Sequence, residues 1–303
     1  MKKKLLAVFC GCLLFVGGCS DATTQVKNDD KVLVKIGDEE ITKGDIYDGL
    51  VAKGNVTPIE QKMNEILVEK LVPVTDEIEK EAQETLKSYK ETYGDEWKKT
   101  YQNAGYDTEE AFYKDVVLLN TRVTKLTSVY VKDNFKELSG RFKPRKVEII
   151  EISDADKAQK ALDAAKEKKS DFAKIAKEYG DTTTYDGSEK VYTTHSGLPD
   201  VVWNNIESTK KNNTVIDKLL QDTNAGTYYV VRVTNVKPSK FKEDAITAMK
   251  DISIDTTTTD ENGSTELSLA DQAFQYYLQK YDYSIHDINV YETLLSTSKK
   301  YER

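Results

Sequence analysis

The sequence has 303 residues, of which 38% are hydrophobic and 32% are charged, and its net charge is −8 with a mean hydropathy of −0.61. This composition excludes a protein with many membrane spans, and it is too apolar for a disordered chain. The negative charge argues against nucleic-acid binding, because the phosphates of such a partner would be repelled. With three cysteines, two histidines and no glycine-rich phosphate loop, we expect no metal site and no bound cofactor.

The start of the chain has the pattern of a secretory leader. Three lysines precede an apolar run from Leu5 to Val16, which is too short to span a bilayer but suits a signal peptide. The run ends in Val16-Gly17-Gly18-Cys19, which resembles a bacterial lipobox and implies lipid attachment at Cys19. We therefore expect a signal peptide at 1–18, a polar tether at 19–30, and a lipid-anchored protein on the extracytoplasmic side of the cell membrane. An ordinary signal peptide with an incidental cysteine is the alternative.

Residues 31–143 predict a hairpin followed by helices. Val32 to Ile36 alternate as in a strand, and Thr42, Thr57 and Thr75 each precede a run of apolar residues at helical spacing. The longest such pattern predicts a helix of roughly 25 residues with a single buried seam. The positions of that seam are Phe112, Val116, Leu119, Val123, Leu126 and Tyr130.

The middle segment, residues 145–237, is bracketed by two prolines and has a different pattern. Val147 to Ile152 and Tyr228 to Val236 read as strands, and the stretch 154–168 reads as an Ala- and Lys-rich helix. A shorter amphipathic helix follows Ser170. A strand, two helices and a closing strand in about ninety residues predict a small α+β domain.

The last segment, residues 238–303, is predicted to be helical again. Its helices carry Phe241 to Met249 and Leu269 to Tyr281, and a polar loop at 256–265 separates them. The apolar faces of the two outer segments are too narrow for either to fold alone, so we expect them to pack together. The fold class is therefore α+β, a mostly helical body with the middle domain inserted into it.

Candidate catalytic residues are few. Nucleophilic hydrolysis usually needs a histidine beside the nucleophile, and only His195 and His286 are present. The first lies in a polar stretch and the second near the C-terminus, so we expect both on the surface. Acidic pairs such as Glu109-Glu110 lie at helix starts, where the helix dipole explains them better than acid–base catalysis does. The residues alone therefore predict no catalytic cluster.

The order of several motifs resembles a known family. Lys31-Val32-Leu33-Val34-Lys35-Ile36-Gly37-Asp38, followed by Ile41-Thr42 and an acidic helix, is similar to the start of the PrsA-type foldases. The middle segment resembles a parvulin peptidyl-prolyl isomerase domain, through Asp171-Phe172-Ala173-Lys174-Ile175-Ala176 and Tyr228-Tyr229-Val230-Val231-Arg232-Val233. The tail from Tyr283 to Asp287 also looks like the end of such foldases. The resemblance implies a chaperone body with a parvulin-like insertion.

The departures from the family bear on activity. Active parvulins carry a histidine in the first strand, where this chain has Ile150 or Glu151, and a second in the closing strand, where it has Tyr229. The family's Gly-Gly-x-Leu-Gly turn is replaced by Asp186-Gly187 alone. Compared with the family, Glu151 and Tyr229 therefore form a candidate degenerate site, and no residue is assigned as catalytic.

Three functions are open at this point. The favoured one is a membrane-anchored chaperone and foldase that holds unfolded secreted proteins in the cleft between the outer lobes and the inserted domain, with a homodimer as one option for its assembly. The second is an active peptidyl-prolyl cis-trans isomerase that uses the middle domain. The third is a solute-binding lipoprotein, which the lack of repeated strand–helix alternation disfavours.

Overall fold

The computed structural model describes residues 26–36, 38–257 and 266–302. The predicted signal peptide, Cys19, the start of the tether and most of the predicted polar loop lie outside the described residues. The described chain divides into two compact units, one of residues 26–59 with 283–302 and one of residues 60–282. No helix within these described ranges is long and apolar enough to cross a membrane.

The described elements alternate from helical to mixed and back to helical along the chain. The first part contains β1 (Val32–Ile36), β2 (Glu39–Thr42), α1 (Lys43–Ala52), α2 (Thr57–Leu71), α3 (Asp76–Tyr93), α4 (Trp97–Asn103), α5 (Glu109–Phe112), α6 (Leu119–Asp133) and α7 (Phe135–Phe142). The middle part contains β3 (Arg145–Ile152), α8 (Ala155–Ala165), α9 (Phe172–Tyr179), β4 (Asp186–Tyr192), α10 (Asp200–Ser208), β5 (Thr214–Val215), β6 (Leu220–Asp222) and β7 (Thr227–Asn235). The last part contains α11 (Lys242–Lys250), α12 (Leu269–Lys280) and α13 (Ile288–Thr297).

The smaller unit consists of a hairpin and two helices. Strands β1 and β2 pair antiparallel, and Thr42 then starts α1 as predicted. Its side chain accepts from the backbone N–H of Asp45, and its own backbone N–H donates to the Asp45 carboxylate. Asp287 starts α13 in the same way, accepting from the N–H groups of the second and third helical residues at 2.9 and 3.1 Å. Helices α1 and α13 pack against each other.

The predicted 25-residue helix exists, but its seam differs from the prediction. The backbone is helical from Glu109 to Asp133, with a π-helical segment at Tyr113–Leu118 between α5 and α6. A π turn adds a residue and rotates the face that follows it. Val117 is therefore buried in place of the predicted Val116, which is half-buried.

The helices of the larger unit join its first and last parts. Helices α11 and α12 pack against α6, and the hydroxyl of Tyr277 on α12 donates to the Asp133 carboxylate at 3.0 Å. Arg141 on α7 forms an ion pair with Glu266, just before α12. Helix α2 begins at Thr57 itself, one residue earlier than the predicted start. These contacts support the fold class, in which the outer segments pack together and the α+β domain is an insertion.

The inserted domain has a five-stranded sheet in the order β4-β3-β7-β5, with β6 also pairing with β7. The two predicted strands, β3 and β7, are its antiparallel centre. Helices α8 and α9 cover one face of the sheet, and α10 packs on the other. The sequence analysis missed β4, β5, β6 and α10, because these elements are short or lie at the polar edge of the sheet. The exact domain boundaries at 143, 145, 237 and 238 stay a prediction.

Candidate parvulin-like site

The sheet brings the two predicted site residues together. Because β3 and β7 are antiparallel, their register places Glu151 directly opposite Tyr229. The Tyr229 hydroxyl donates to the Glu151 carboxylate at 2.9 Å, and the Thr227 hydroxyl donates to the Tyr229 oxygen at 3.3 Å. Sequence reasoning proposed both residues from the family pattern, and the structure shows that they are hydrogen-bond partners.

The strand pleat decides which of the two first-strand positions faces Tyr229. Ile150 is fully buried on the opposite face, in the core with α8 and α9. Glu151 is half-buried and lies on the face where Val147, Ile149 and Tyr229 pack under α10. Of the two positions that the family comparison left open, Glu151 is therefore the one in the site.

The phenol of Tyr229 is buried and packs against the ring of Tyr185. Tyr229 is 4% exposed, and the ring of Tyr185 meets it edge-on with centroids 5.8 Å apart. Burial and the adjacent Glu151 carboxylate raise the pKa of Tyr229 to about 12, although the Thr227 hydrogen bond opposes the shift. The phenol is therefore neutral at physiological pH and acts as a donor to Glu151. Sequence reasoning missed Tyr185 and Thr227, since neither position is marked by a family motif.

The turn that replaces the family's glycine-rich sequence makes a close backbone contact. Gly187 has φ +75°, and a Cβ there would overlap the Phe172 carbonyl oxygen at the start of α9. The neighbouring Asp186 carboxylate accepts from the N–H of Ser188 at 3.1 Å and from its hydroxyl. These hydrogen bonds lower the pKa of Asp186 to about 2. Asp186 is therefore an ionised residue at the start of β4, and its partners Ser188 and Lys190 belong to the same strand.

The two histidines are on the surface, as expected from the sequence. His195 is exposed in the loop after β4, where its Nδ1 lies 2.8 Å from the Thr194 hydroxyl and its ring meets Phe142 edge-on. Partial burial and Arg141 lower the pKa of His195. His286 is also exposed, with its Nε2 2.9 Å from the Ser284 hydroxyl. Among the described residues, no group of three or more His, Cys, Asp or Glu could hold a metal ion.

The pair of Glu151 and Tyr229 limits what this site can do chemically. The phenol proton is directed at Glu151, and the phenol oxygen already accepts from Thr227. An ionised carboxylate only accepts hydrogen bonds. The site therefore presents acceptors and aromatic surface to a bound peptide, and its strongest donor is engaged within the domain.

The comparisons agree with the family resemblance. A family model described as a PPIC-type PPIASE domain matches residues 131–251. The foldase protein PrsA of Streptococcus gordonii is 27% identical over 266 residues, which are 80% of this chain and 81% of the relative. The PrsA of Streptococcus mutans is 28% identical over 250 residues, 77% of this chain and 71% of the relative. The crystal structure of PrsA from Bacillus cereus is 19% identical with a TM-score of 0.40, and the match covers 90% of this chain and all of that one.

Proposed function

We propose that this chain, which is similar to the foldase protein PrsA and contains a match to the PPIC-type PPIASE domain, is an extracytoplasmic chaperone and foldase with little isomerase turnover. Its partners are unfolded or folding secreted proteins. One observation carries the proposal on turnover: the positions of the family's paired histidines hold Glu151 and Tyr229, which bond to each other at 2.9 Å.

The physical argument concerns the barrier of the reaction. Rotation about a peptide bond has a barrier of about 18–20 kcal/mol, and catalysis requires groups preorganised around the twisted bond. In this domain the Tyr229 proton is held by an acceptor that lies in the site itself. The Glu151 carboxylate also repels the partial negative charge of a substrate carbonyl oxygen that approaches this site. Both effects reduce the stabilisation that the site offers to a twisted amide.

Exposed apolar surface in the outer segments supports a chaperone role. All five residues of β1 are exposed, and Leu33, Val34 and Ile36 expose 48–68% of their surface. Ile46 and Leu50 on α1 are also exposed. Contiguous apolar surface marks interaction sites, and unfolded chains bind through such surface. We assign client holding mainly to residues 31–143 and 239–303.

The second candidate is an active isomerase. It is favoured by the cross-strand hydrogen bond itself, because Tyr229 and Glu151 preserve a polar pair at the family's positions. In that case the phenol would be the group that acts on the substrate. The two candidates differ in what removal of the Tyr229 hydroxyl does to turnover.

The proposed location is the outer face of the cell membrane. Cys19 supplies the lipid, because a diacylglyceryl group provides the two chains that stable anchoring needs. The polar residues after Cys19 are the tether. A homodimer also stays a prediction, which sedimentation of residues 20–303 would test.

A protease-coupled proline-peptide assay, run beside an aggregation-suppression assay on residues 20–303, separates the candidates. We expect aggregation suppression with isomerase turnover near background, and no change in either on Tyr229→Phe. Tyr228→Phe is the matched control, because Tyr228 is the adjacent residue and packs on the opposite face of β7. Turnover at the level of an ordinary parvulin that is lost in Tyr229→Phe and kept in Tyr228→Phe would make the protein an isomerase.

A further inference from the structure

A cavity lies in the larger unit, at the end of the sheet where β3 begins. It has a volume of about 650 Å³ and is lined by α7, the start of β3, the end of α10 and the residues that follow β7. This volume lies within the range of small-ligand and peptide side-chain sites, about 300–1,000 Å³. All the residues that line the cavity belong to the larger unit.

The cavity is strongly basic within an acidic chain. Its lining includes Lys136, Lys143, Arg145, Lys210 and Lys237, and its only carboxylate is Glu207. Lys143 forms an ion pair with Glu207. The other four cations have no ion pair within the described residues. Glu207 also interacts electrostatically with Arg145, so two cations share this carboxylate. The excess of cations over carboxylates in the lining attracts an anionic group.

Two buried polar atoms in the lining have no hydrogen-bond partner within the described residues. The Nε of Arg145 and the hydroxyl oxygen of Ser139 are buried, and neither has a hydrogen-bond partner within the described structure. The Arg145 Nη1 donates to the Pro144 carbonyl at 3.0 Å, which uses one of its five N–H groups. Burial lowers the pKa of Arg145. Buried donors of native proteins are almost always paired, and an acceptor that entered the cavity would pair these two groups.

The remaining wall is apolar and narrows the class of ligand. Phe135, Val236 and Pro238 line the cavity beside the aliphatic stems of the lysines. A free phosphate or a lipid headgroup would use the cations and leave this wall without a partner. A peptide with a carboxylate next to apolar side chains would use both.

We propose that this cavity binds a short segment of a client protein in which an acidic side chain adjoins apolar residues. The proposal deepens the chaperone function and rests on it. The client carboxylate pairs with Arg145 and the surrounding lysines, and the adjoining side chains pack on Phe135 and Pro238. Elsewhere the negative charge of the protein repels acidic segments, so this cavity gives them a place to bind.

The experiment uses residues 20–303 and two terminally blocked pentapeptides with a neutral fluorophore, Ala-Leu-Glu-Leu-Ala and its Gln counterpart. The test variant is Lys136→Gln/Lys210→Gln/Lys237→Gln. These three lysines are exposed in the unchanged chain, so the fold of the variant should persist. The matched control is Lys98→Gln/Lys160→Gln/Lys168→Gln, with the same change of charge at exposed positions away from the cavity. Circular dichroism checks the fold of both variants, and fluorescence anisotropy measures binding.

We expect the Glu peptide to bind at least tenfold more tightly than the Gln peptide. The test variant should lose at least fivefold of that affinity, and the control should stay within twofold of the unchanged chain. Equal affinity for the two peptides, or an equal loss in test and control variants, would overturn the proposal. So would binding to phosphatidylglycerol vesicles through the same lysines without binding of the peptide.

Aggregation suppression of reduced lysozyme separates this proposal from the proposed function. If suppression is intact and the Glu peptide does not bind, the cavity proposal is wrong and the chaperone function stands. If suppression is absent and the peptide binds through the lysines, the chaperone function fails, and with it the claim that the peptide stands for a client, while the cavity is still a site for acidic peptides.

Discussion

Replacement of Tyr229 by phenylalanine removes one hydroxyl from the centre of the parvulin-like site. The hydroxyl donates to the Glu151 carboxylate at 2.9 Å and accepts from Thr227 at 3.3 Å. A hydrogen bond to a charged group contributes about 1.5–3 kcal/mol when both partners are buried. Glu151 is half-buried, so water can replace part of the bond. We therefore expect the free energy of unfolding to fall by about 1–1.5 kcal/mol.

Urea unfolding of residues 20–303, followed by circular dichroism, measures this loss. The midpoint should fall at constant m value. Tyr228→Phe is the control, because its hydroxyl meets only the exposed Gln221 amide at 3.2 Å, and its loss should stay below about 0.5 kcal/mol. A double-mutant cycle that combines Tyr229→Phe with Glu151→Gln should give a coupling energy of about 1 kcal/mol in the free energy of unfolding. Equal losses for the two tyrosines, or zero coupling, would refute the argument.

The same variant tests the electrostatics through its pH dependence. The pKa of Tyr229 is about 12 in the folded protein, above the ordinary phenol value of about 10. A raised pKa means that folding favours the protonated phenol. The contribution of Tyr229 to the free energy of unfolding is therefore complete below about pH 10 and is lost between about pH 10 and 12. The difference in absorbance at 295 nm between the unchanged chain and Tyr229→Phe should therefore rise near pH 12. A rise near pH 10 would contradict the burial of this group.

Three further predictions concern the anchor, the turn and the helical body. Cys19→Ala should move the protein from the membrane fraction to the soluble fraction or leave its signal uncleaved, and palmitate labelling that persists in this variant would exclude the anchor. Gly187→Ala should lower the free energy of unfolding by more than about 3 kcal/mol, because the new Cβ overlaps a backbone oxygen; Gly197→Ala, at φ +67° with no atom within 4 Å, should lower it by about 1 kcal/mol. Arg122→Met should lower the free energy of unfolding by about 2 kcal/mol in a thermal melt, because the carbonyl oxygens of Val68 and Val72 at the end of α2 each lose a donor at 2.8 Å. The control Lys132→Met, at an exposed position, should lower it by less than about 0.5 kcal/mol. Equal effects in either matched pair would show that the contact is not the cause.

The sequence predicted the elements that carry a continuous apolar pattern. Strands β3 and β7 are the centre of the sheet and are covered on both faces, so their Val and Ile residues stand out in the sequence. Helix α9 is marked by Asp171, whose carboxylate accepts from the N–H of Lys174 at 3.1 Å. In each case the local pattern and the tertiary contacts favour the same structure.

The elements that the sequence did not predict have weak local patterns. Strand β4 is an edge strand, and four of its seven residues are Asp, Ser, Glu and Lys. Helix α10 has only Val202 and Ile206 as fully buried anchors, although Pro199 just before it is a start signal that could have located it. The π turn at Tyr113–Leu118 inserts a residue into an otherwise regular helix, and no residue type marks such a turn.

In the parvulin-like site, too, some features follow from the sequence and others only from the folded structure. The family pattern pointed to Glu151 and Tyr229, but their hydrogen bond depends on the register of β3 against β7, which only the folded sheet defines. Tyr185 precedes an edge strand that the sequence did not predict, so its contact with Tyr229 could not be foreseen. The basic cavity could not be foreseen either, since its five cations come from separate parts of the chain.

The basic cavity and the parvulin-like site lie at opposite ends of β3, so the proposed client binding and the family's isomerase site are separated in space. Arg145 begins β3 and Glu151 lies at its other end, so six residues of strand place them about 20 Å apart. The groups at Glu151 satisfy one another, whereas Arg145 keeps a buried donor without a partner. The proposed cavity therefore lies at the end of the domain away from the parvulin-like site. A client segment held at Arg145 reaches Tyr229 only if about six further residues are extended along the sheet, so loss of isomerase groups at one end leaves holding at the other end intact.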